Sequence, residues 1–274
     1  MINFNGTISE HSTINIEENR GFLYGDALFE TLKVTNNSIL YFEDHYFRLM
    51  ASMRMVRMEI PMDFTMDFLQ AEIFKLINAS NPASAYRIRI TVFRKFGGIY
   101  TPKTQDIDFL ITLKILENPD YQYNNLPYEV ELYKDFYIPT TGLASLKTNN
   151  KMVHITGSIF AQENGYQNCI LLNTDKNVVE TLQENLFMLK DNQLITPPLS
   201  EGCCNGIMRK QVLKHLQKTN KINVIEQPIS TFDLQKADEL FMTNVIKGIQ
   251  PITQFRKKTY TTHFSQTLFE ELFS

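Results

Sequence analysis

A polar stretch from Glu117 to Pro127, carrying Asn and Pro between two blocks of strand and helix pattern, most limits how this chain of 274 residues can fold. Such a polar stretch is the best candidate for a linker between two cores. The length is enough for two cores. The chain therefore reads as a smaller N-terminal domain over residues 1–117, a linker over 118–127 and a larger C-terminal domain over 128–274.

In the N-terminal part, Asn5-Gly6 after an apolar start predicts a hairpin, and Asn36-Asn37 predicts another between strands at 28–34 and 38–42. Asp44 is placed to cap a helix running through His45, Arg48, Leu49, Met53 and Val56. Apolar spacing at Phe64, Phe68, Ala71, Ile73, Phe74 and Ile77 predicts a second helix over 63–79. Strands follow at 85–93 and 108–115, joined by a loop with Gly97-Gly98 and Tyr100. In the C-terminal part, strands are expected at 129–136, 168–172, 178–181, 185–189, 193–196, 222–226 and 239–243. Helices are expected at 151–164, ended by Gly165, and at 207–218, 231–237 and 264–273. There is no internal repeat, and the pattern is α+β in two lobes.

Charge and cysteine use exclude several partners. Net charge is −3 with scattered Lys and Arg, which gives no pull toward nucleic acid or an anionic membrane. Three cysteines, two of them adjacent at Cys203 and Cys204, do not make a disulfide framework. With no basic and apolar leader behind Met1, the expected compartment is a reducing cytoplasm. No apolar run approaches the roughly 18 residues of a membrane span. The histidines, His11, His45, His154, His215 and His263, are dispersed, so no metal site is expected.

Three features carry chemistry. Lys147 lies in a polar stretch, Ala144 to Asn150, after a Pro139-Thr140-Thr141-Gly142 turn. Glu180 ends a short apolar strand at Val178-Val179. Asn205-Gly206-Ile207-Met208-Arg209 opens a helix. An amine, a carboxylate and a helix N-terminus are the groups needed to hold pyridoxal phosphate. The amine forms a Schiff base, the carboxylate keeps the ring nitrogen protonated, and backbone N–H groups receive the phosphate.

These residues fall within six stretches that together resemble the class IV aminotransferases, the fold-type IV pyridoxal phosphate enzymes. The stretches are Arg20 to Thr31, His45 to Leu49, Ser145-Leu146-Lys147, Val179-Glu180 with Asn185-Leu186-Phe187, Asn205 to Arg209, and Glu239 to Asn244. They cover nearly the whole chain in order. The resemblance implies a two-lobe architecture like that of D-amino acid aminotransferase, with the cofactor in the interdomain crevice. It implies that Lys147 is the Schiff-base lysine and proton carrier, that Glu180 bonds the pyridine nitrogen, and that Arg48 binds the phosphate. Gly206, Ile207, Met208, Asn244 and Val245 would complete the cofactor site, with Gly206 allowing close backbone approach. Arg209 and His45 read as structural contacts. Phe29, Tyr100, Arg87 and Arg89 are the candidates for the substrate pocket. Arg87 and Arg89 share one strand face and Arg94 the other, and either face is open for a substrate carboxylate. A homodimer, with a partner loop closing the pocket, is implied as well.

The same resemblance implies one of two reactions on a small amino substrate. Aminotransferases of the family usually carry Thr where this chain has Met208 and a phosphate-binding hydroxyl where it has Val245. Branched-chain enzymes have Tyr where it has Met152 and Gly where it has Thr31. The 4-amino-4-deoxychorismate lyases are more similar, sharing Asn-Gly-Ile-Met-Arg, the Asn at 244 and a Gly-Gly…Tyr loop like Gly97-Gly98-Ile99-Tyr100. The expectation is therefore a lyase, with a branched-chain or D-amino acid aminotransferase as the alternative. A non-catalytic homologue is the remaining class, and Lys147, Glu180 and Arg48 argue against it.

Overall fold

The computed structural model describes residues 1–11 and 14–273, and its contacts divide the chain into two units. The first, Met1–Asp120 with Lys147–Asn150, holds β1 (Ile2–Phe4), β2 (Thr7–Ser9), α1 (Arg20–Leu23), β3 (Ala27–Thr35), β4 (Ser38–Ile39), α2 (Phe42–Met55), α3 (Met66–Asn78), β5 (Ala85–Arg94) and β6 (Ile107–Ile115). The strands form one antiparallel sheet in the order β2-β1-β6-β5-β3-β4.

Side-chain alternation decides what each face of this sheet carries. Leu32 lies opposite Ile88, and Glu30 opposite Ile90. This face packs on α2, whose Leu49 and Met53 are buried with it. The other face carries Phe29, Thr31 and Lys33 beside Thr91, Arg89 and Arg87. The sheet thus separates an apolar core from a polar, cationic face.

Local details differ from the sequence reading in ways that the connections explain. Only Leu40 and Tyr41 lie between β4 and α2, so the strand stops at Ile39. Left-handed Tyr41 (φ 54°) turns the chain straight into the helix with no side-chain cap. Asp44 therefore sits in the first turn, where its charge suits the helix dipole, and does not cap. α3 starts three residues later than expected because Thr65 is its cap, accepting from the Phe68 N–H at 3.2 Å. Lys147–Asn150, expected in the C-terminal domain, pack in the first unit. Phe29 N–H donates to the Lys147 carbonyl (2.8 Å), Asn149 N–H donates to the Ala27 carbonyl (3.0 Å), and Thr148 bridges to Leu28.

The second unit, Tyr121–Leu146 with Lys151–Ser274, contains β7 (Glu129–Ile138), α4 (Met152–Glu163), β8 (Asn168–Asn173), β9 (Asn177–Thr181), β10 (Asn185–Lys190), β11 (Gln193–Thr196), α5 (Ile207–Thr219), β12 (Asn223–Glu226), β13 (Ile229–Ser230), α6 (Thr231–Lys236), β14 (Glu239–Asn244), β15 (Gly248–Ile252), β16 (Gln254–Phe255), β17 (Lys258–Thr259) and α7 (His263–Phe273). Its sheets run β12-β11-β10-β14-β15 and β13-β9-β8-β7-β16-β17. They pack face to face through Leu132, Ile170 and Val178 against Leu186, Met188 and Met242. On the outer faces, Tyr133, Leu171 and Val179 pack with Ala161 of α4, and Phe187 and Phe241 pack with Val212 of α5 and Leu268 of α7. Strands covered on both faces read as unbroken apolar runs, as 168–172 does. β15 escapes a sequence reading because it contains Pro251. The residue is tolerated there because β15 is an edge strand.

The β3–β4 hairpin gives a direct test of this fold. Both turn residues have positive φ, Asn36 at 50° and Asn37 at 58°, the geometry of a two-residue hairpin turn. Asn37→Val should lower unfolding free energy by about 1–2 kcal/mol, the cost of a left-handed backbone for a β-branched residue. Asn37→Gly should not lower it. Urea melts of the two variants check this.

Candidate active site

In the first unit the segment 147–149 is held along the start of β3, which brings the Lys147 amine over the Phe29 ring, 4.5 Å from its centroid. The Arg89 guanidinium lies over the same ring at 3.7 Å. Arg89 also donates to Asn149 Oδ1 at 2.9 Å and to Thr91 Oγ1 at 3.1 Å. Burial, with the nearby Arg87 charge, pushes its pKa down to about 10. Lys147, Phe29 and Arg89 are therefore gathered, with Arg87 next along the same strand face. Arg94 is committed elsewhere: it binds Asp26, the Val56 and Arg57 carbonyls, and Gln105. Of the three arginines, Arg94 is thus taken up by structural partners, while Arg87 and Arg89 stand on the strand face that carries Phe29.

Arg48 sits on the helix side of β3. Its Nε and one terminal nitrogen donate to Glu30 at 2.7 and 2.5 Å, and His45 Nδ1 lies 2.7 Å from the same carboxylate. Burial alone would raise the Glu30 carboxyl, but Arg48 and then His45 hold it at about 2. Burial lowers the His45 pKa. A neutral ring giving Nδ1–H to an ionised Glu30 leaves Nε2 as an acceptor, and that atom is buried without a hydrogen-bond partner among the described residues. Glu30 thus fixes the guanidinium fork of Arg48.

Tyr100 lies apart from these residues, 86% exposed and edge-on to Tyr24 at 6.0 Å. Its loop is anchored by Arg20, which is buried, bonds Asp26, and donates to the carbonyls of Gly97, Gly98 and Ile99 at 3.1, 3.2 and 2.7 Å.

In the second unit Glu180, near the end of β9, is buried and receives two donors. His154 Nε2 lies 3.1 Å from Oε1, and the Cys204 N–H donates to Oε2 at 2.8 Å. Burial would raise this carboxyl. The His154 hydrogen bond and charge, then Lys151 and the Cys204 N–H, hold it below the usual range. Glu180 is an ionised acceptor at neutral pH.

The Cys204 backbone connects this carboxylate to the start of α5. Its carbonyl accepts from Asn185 Nδ2 at 2.8 Å and from the Gly206 N–H at 2.8 Å. Asn185 Oδ1 occupies the space a Cβ on residue 206 would need, so the close approach that requires glycine is made by Asn185. Gly206 is the N-cap and no side chain caps the helix, which leaves Ile207 and Met208 at a helix start of positive dipole. Arg209 is tied to the Pro197 carbonyl and Glu226. Asn244, at the end of β14, spends its side chain on the turn that follows. Oδ1 accepts from the Ile246 and Lys247 N–H groups, and Nδ2 donates to Glu184. Val245 is buried beside it.

Sequence reasoning missed His154, Asn185 and Arg20 as site-building residues and underrated Glu30. Asn185, Arg20 and Glu30 all lie within the recognised motifs, which was the available signal. His154 had none beyond standing on the helix that follows Lys147. Among the described residues no group of three or more His, Cys, Asp or Glu gathers as a metal site, and no helix is long and apolar enough to cross a membrane.

The model of the class IV amino-transferases matches residues 27–255, and the chain belongs to that family. Its members are pyridoxal phosphate-dependent aminotransferases and lyases. A D-alanine aminotransferase of Listeria monocytogenes is 27% identical over 253 residues, covering 89% of this chain and 83% of that protein. An aminodeoxychorismate lyase of Vibrio harveyi is 25% identical over 238 residues, covering 85% and 84%. The structure of a branched-chain amino acid aminotransferase from Escherichia coli superposes with a TM-score of 0.87 at 22% identity, covering 100% of this chain and 94% of that one, which shows the fold. Within the second unit the donor set suits the family's cofactor: Glu180 is an ionised acceptor, and the α5 start has no side-chain cap.

Two outcomes follow. Glu30→Gln should destabilise the protein at neutral pH by about 3 kcal/mol, since it removes the buried negative charge that faces the Arg48 guanidinium. A carboxyl lowered to about 2 stabilises fully above its unfolded value near 4.5 and loses that contribution as pH falls toward 2. The gap between wild type and variant should therefore close over that window in acid melts. Gly206→Ala should displace Asn185 and weaken cofactor uptake, measured by titrating the apoprotein with pyridoxal phosphate.

Proposed function

We propose that the chain is a 4-amino-4-deoxychorismate lyase, releasing 4-aminobenzoate and pyruvate. The observation that supports this reading is that Met208 and Val245, at positions the resemblance gives to the phosphate end, are buried, and that Asn244 is spent on its own turn. Family aminotransferases place hydroxyls at the first two positions. An aminotransferase must keep its cofactor through a half-cycle in which no covalent bond ties it to the lysine, so every phosphate contact counts. A lyase restores that bond at the end of each turnover and tolerates a grip made mainly of backbone N–H groups.

Pyridoxal phosphate, when bound, supplies an electron sink through its protonated ring. Lys147 provides the amine that holds it and takes the proton from the substrate carbon bearing nitrogen. The bond between the ring carbon and the enolpyruvyl oxygen then breaks. The leaving group carries away the electron pair, gains a proton and becomes pyruvate, while the ring becomes aromatic without any oxidant. Glu180 accepts the ring N–H. Arg48, Gly206, Ile207 and Met208 serve the phosphate, with Asn244 and Val245 shaping that end. Arg89, beside Lys147, and Arg87 suit a substrate with two carboxylates, and Phe29 is the wall on which Lys147 and Arg89 rest. Tyr100 belongs to a loop whose exposed Phe96, Ile99 and Tyr100 support a homodimer that covers them. Three free cysteines agree with a reducing, cytoplasmic setting.

The second reading, an aminotransferase for D- or branched-chain amino acids with 2-oxoglutarate, is favoured by the D-alanine aminotransferase among the relatives. One experiment separates the two. Aminodeoxychorismate should yield equal amounts of pyruvate and 4-aminobenzoate, while a panel of L- and D-amino acids with 2-oxoglutarate turns over far more slowly. Fast transamination without aminobenzoate release would overturn the lyase. Lys147→Ala should abolish both activities, and borohydride treatment of the wild type should fix the cofactor on the peptide containing Lys147.

A further inference from the structure

His154 has no step in the proposed reaction, yet its Nε2 lies in hydrogen-bond reach of Glu180 Oε1, at 3.1 Å. Its placement is built into the packing of α4. His154 and Gly157 are one turn apart on the same helix face. Gly157 lets that face close on β8: its carbonyl accepts from Cys169 Sγ at 3.3 Å, and a Cβ at 157 would stand 3.1 Å from Leu182 and 3.2 Å from Cys169 Sγ. Ala161 continues the stripe, buried among Tyr133, Leu171 and Val179. A larger residue at 157 would lift the helix and take His154 away from Glu180.

The chemistry of the pair is directional. An ionised carboxylate only accepts, so His154 Nε2 carries the hydrogen. Nδ1 is buried with no hydrogen-bond partner among the described residues. The groups facing Glu180 are His154 from α4, Lys151 just before it, the Cys204 N–H, and the neighbouring Cys203 thiol. The pair therefore holds a fixed, charged acceptor with one oxygen on an imidazole and the other on a backbone amide.

We propose that His154 is a positioning residue whose N–H keeps Glu180 charged and aimed, so that the proton shared between Glu180 and the cofactor's ring nitrogen stays on the nitrogen. This rests on reading Glu180 as the partner of that nitrogen. Without the His154 donor, the carboxylate becomes the better base, the shared proton moves toward Glu180, and the ring loses electron-withdrawing power.

The test uses holoenzyme loaded with pyridoxal phosphate labelled with nitrogen-15 in the ring, whose chemical shift separates a protonated from an unprotonated nitrogen. His154→Leu should move the signal toward the unprotonated position and lower kcat about ten-fold at near-constant KM, the loss of one charge-assisted hydrogen bond. His154→Gln, whose amide N–H reaches the same place, should restore both. Should the Leu variant not fold, His154→Asn, polar but too short to reach Glu180, takes its role. Glu180→Gln is the reference. If it shifts the signal and the His154 variants do not, the role of His154 is overturned. If it shifts nothing, the assignment of Glu180 fails and the proposal with it.

Discussion

The arrangement in the first unit depends on two backbone hydrogen bonds, from Phe29 N–H to the Lys147 carbonyl and from Asn149 N–H to the Ala27 carbonyl. Residues 144–150 are polar and have no apolar period of their own, so nothing local would hold Lys147 in one place. Paired with the start of β3, the segment inherits the rigidity of a strand buried on both faces. A precise amine needs such a support, because ordering a long side chain on a mobile loop costs entropy at every turnover. The aromatic ring of Phe29, fixed by the same strand, then carries both Lys147 and Arg89.

Each unit also buries a carboxylate beside a histidine, and the two are used differently. Glu30 meets a guanidinium and an imidazole, and its charge is consumed in aiming Arg48. Glu180 meets an imidazole and an amide N–H. Both are ionised against the cost of burial, but only the second is left with a negative charge that an incoming N–H could still share. The first is a support and the second is an acceptor, although in the sequence both are single glutamates on apolar strands.

That difference explains how much was legible beforehand. Strands such as 168–172 and helices such as 207–218 show in the sequence because burial imposes a period. Lys147, Glu180 and the Gly206 helix start stand out in the sequence because the chemistry proposed for them calls for those residue types. The origin of each tertiary contact does not show. Gly206 was expected to admit a ligand, and in the fold the neighbour that needs the space is Asn185, twenty-one positions away in sequence. His154 looked like one of five scattered histidines, since its meaning comes from a glycine at 157 that seats the helix. The 147–150 segment could not be assigned to the first unit, because a backbone bridge leaves no mark on side-chain pattern.

The choice of reaction rests on a different kind of residue from those that hold the chemistry. In the proposed reading Lys147, Glu180 and Arg48 serve steps shared by lyase and transaminase, so their presence is neutral between the two. In the same reading Met208 and Val245 touch the question, because they would remove donors from the end that must retain the cofactor when the covalent bond is open. A buried methionine and valine there lower the cost of packing and raise the cost of holding a free phosphate ester. That exchange suits an enzyme which ends each cycle with the lysine bond restored. Arg89 and Arg87 add to the same side, since two guanidinium groups on one strand face match two carboxylates better than the single one of a branched-chain amino acid.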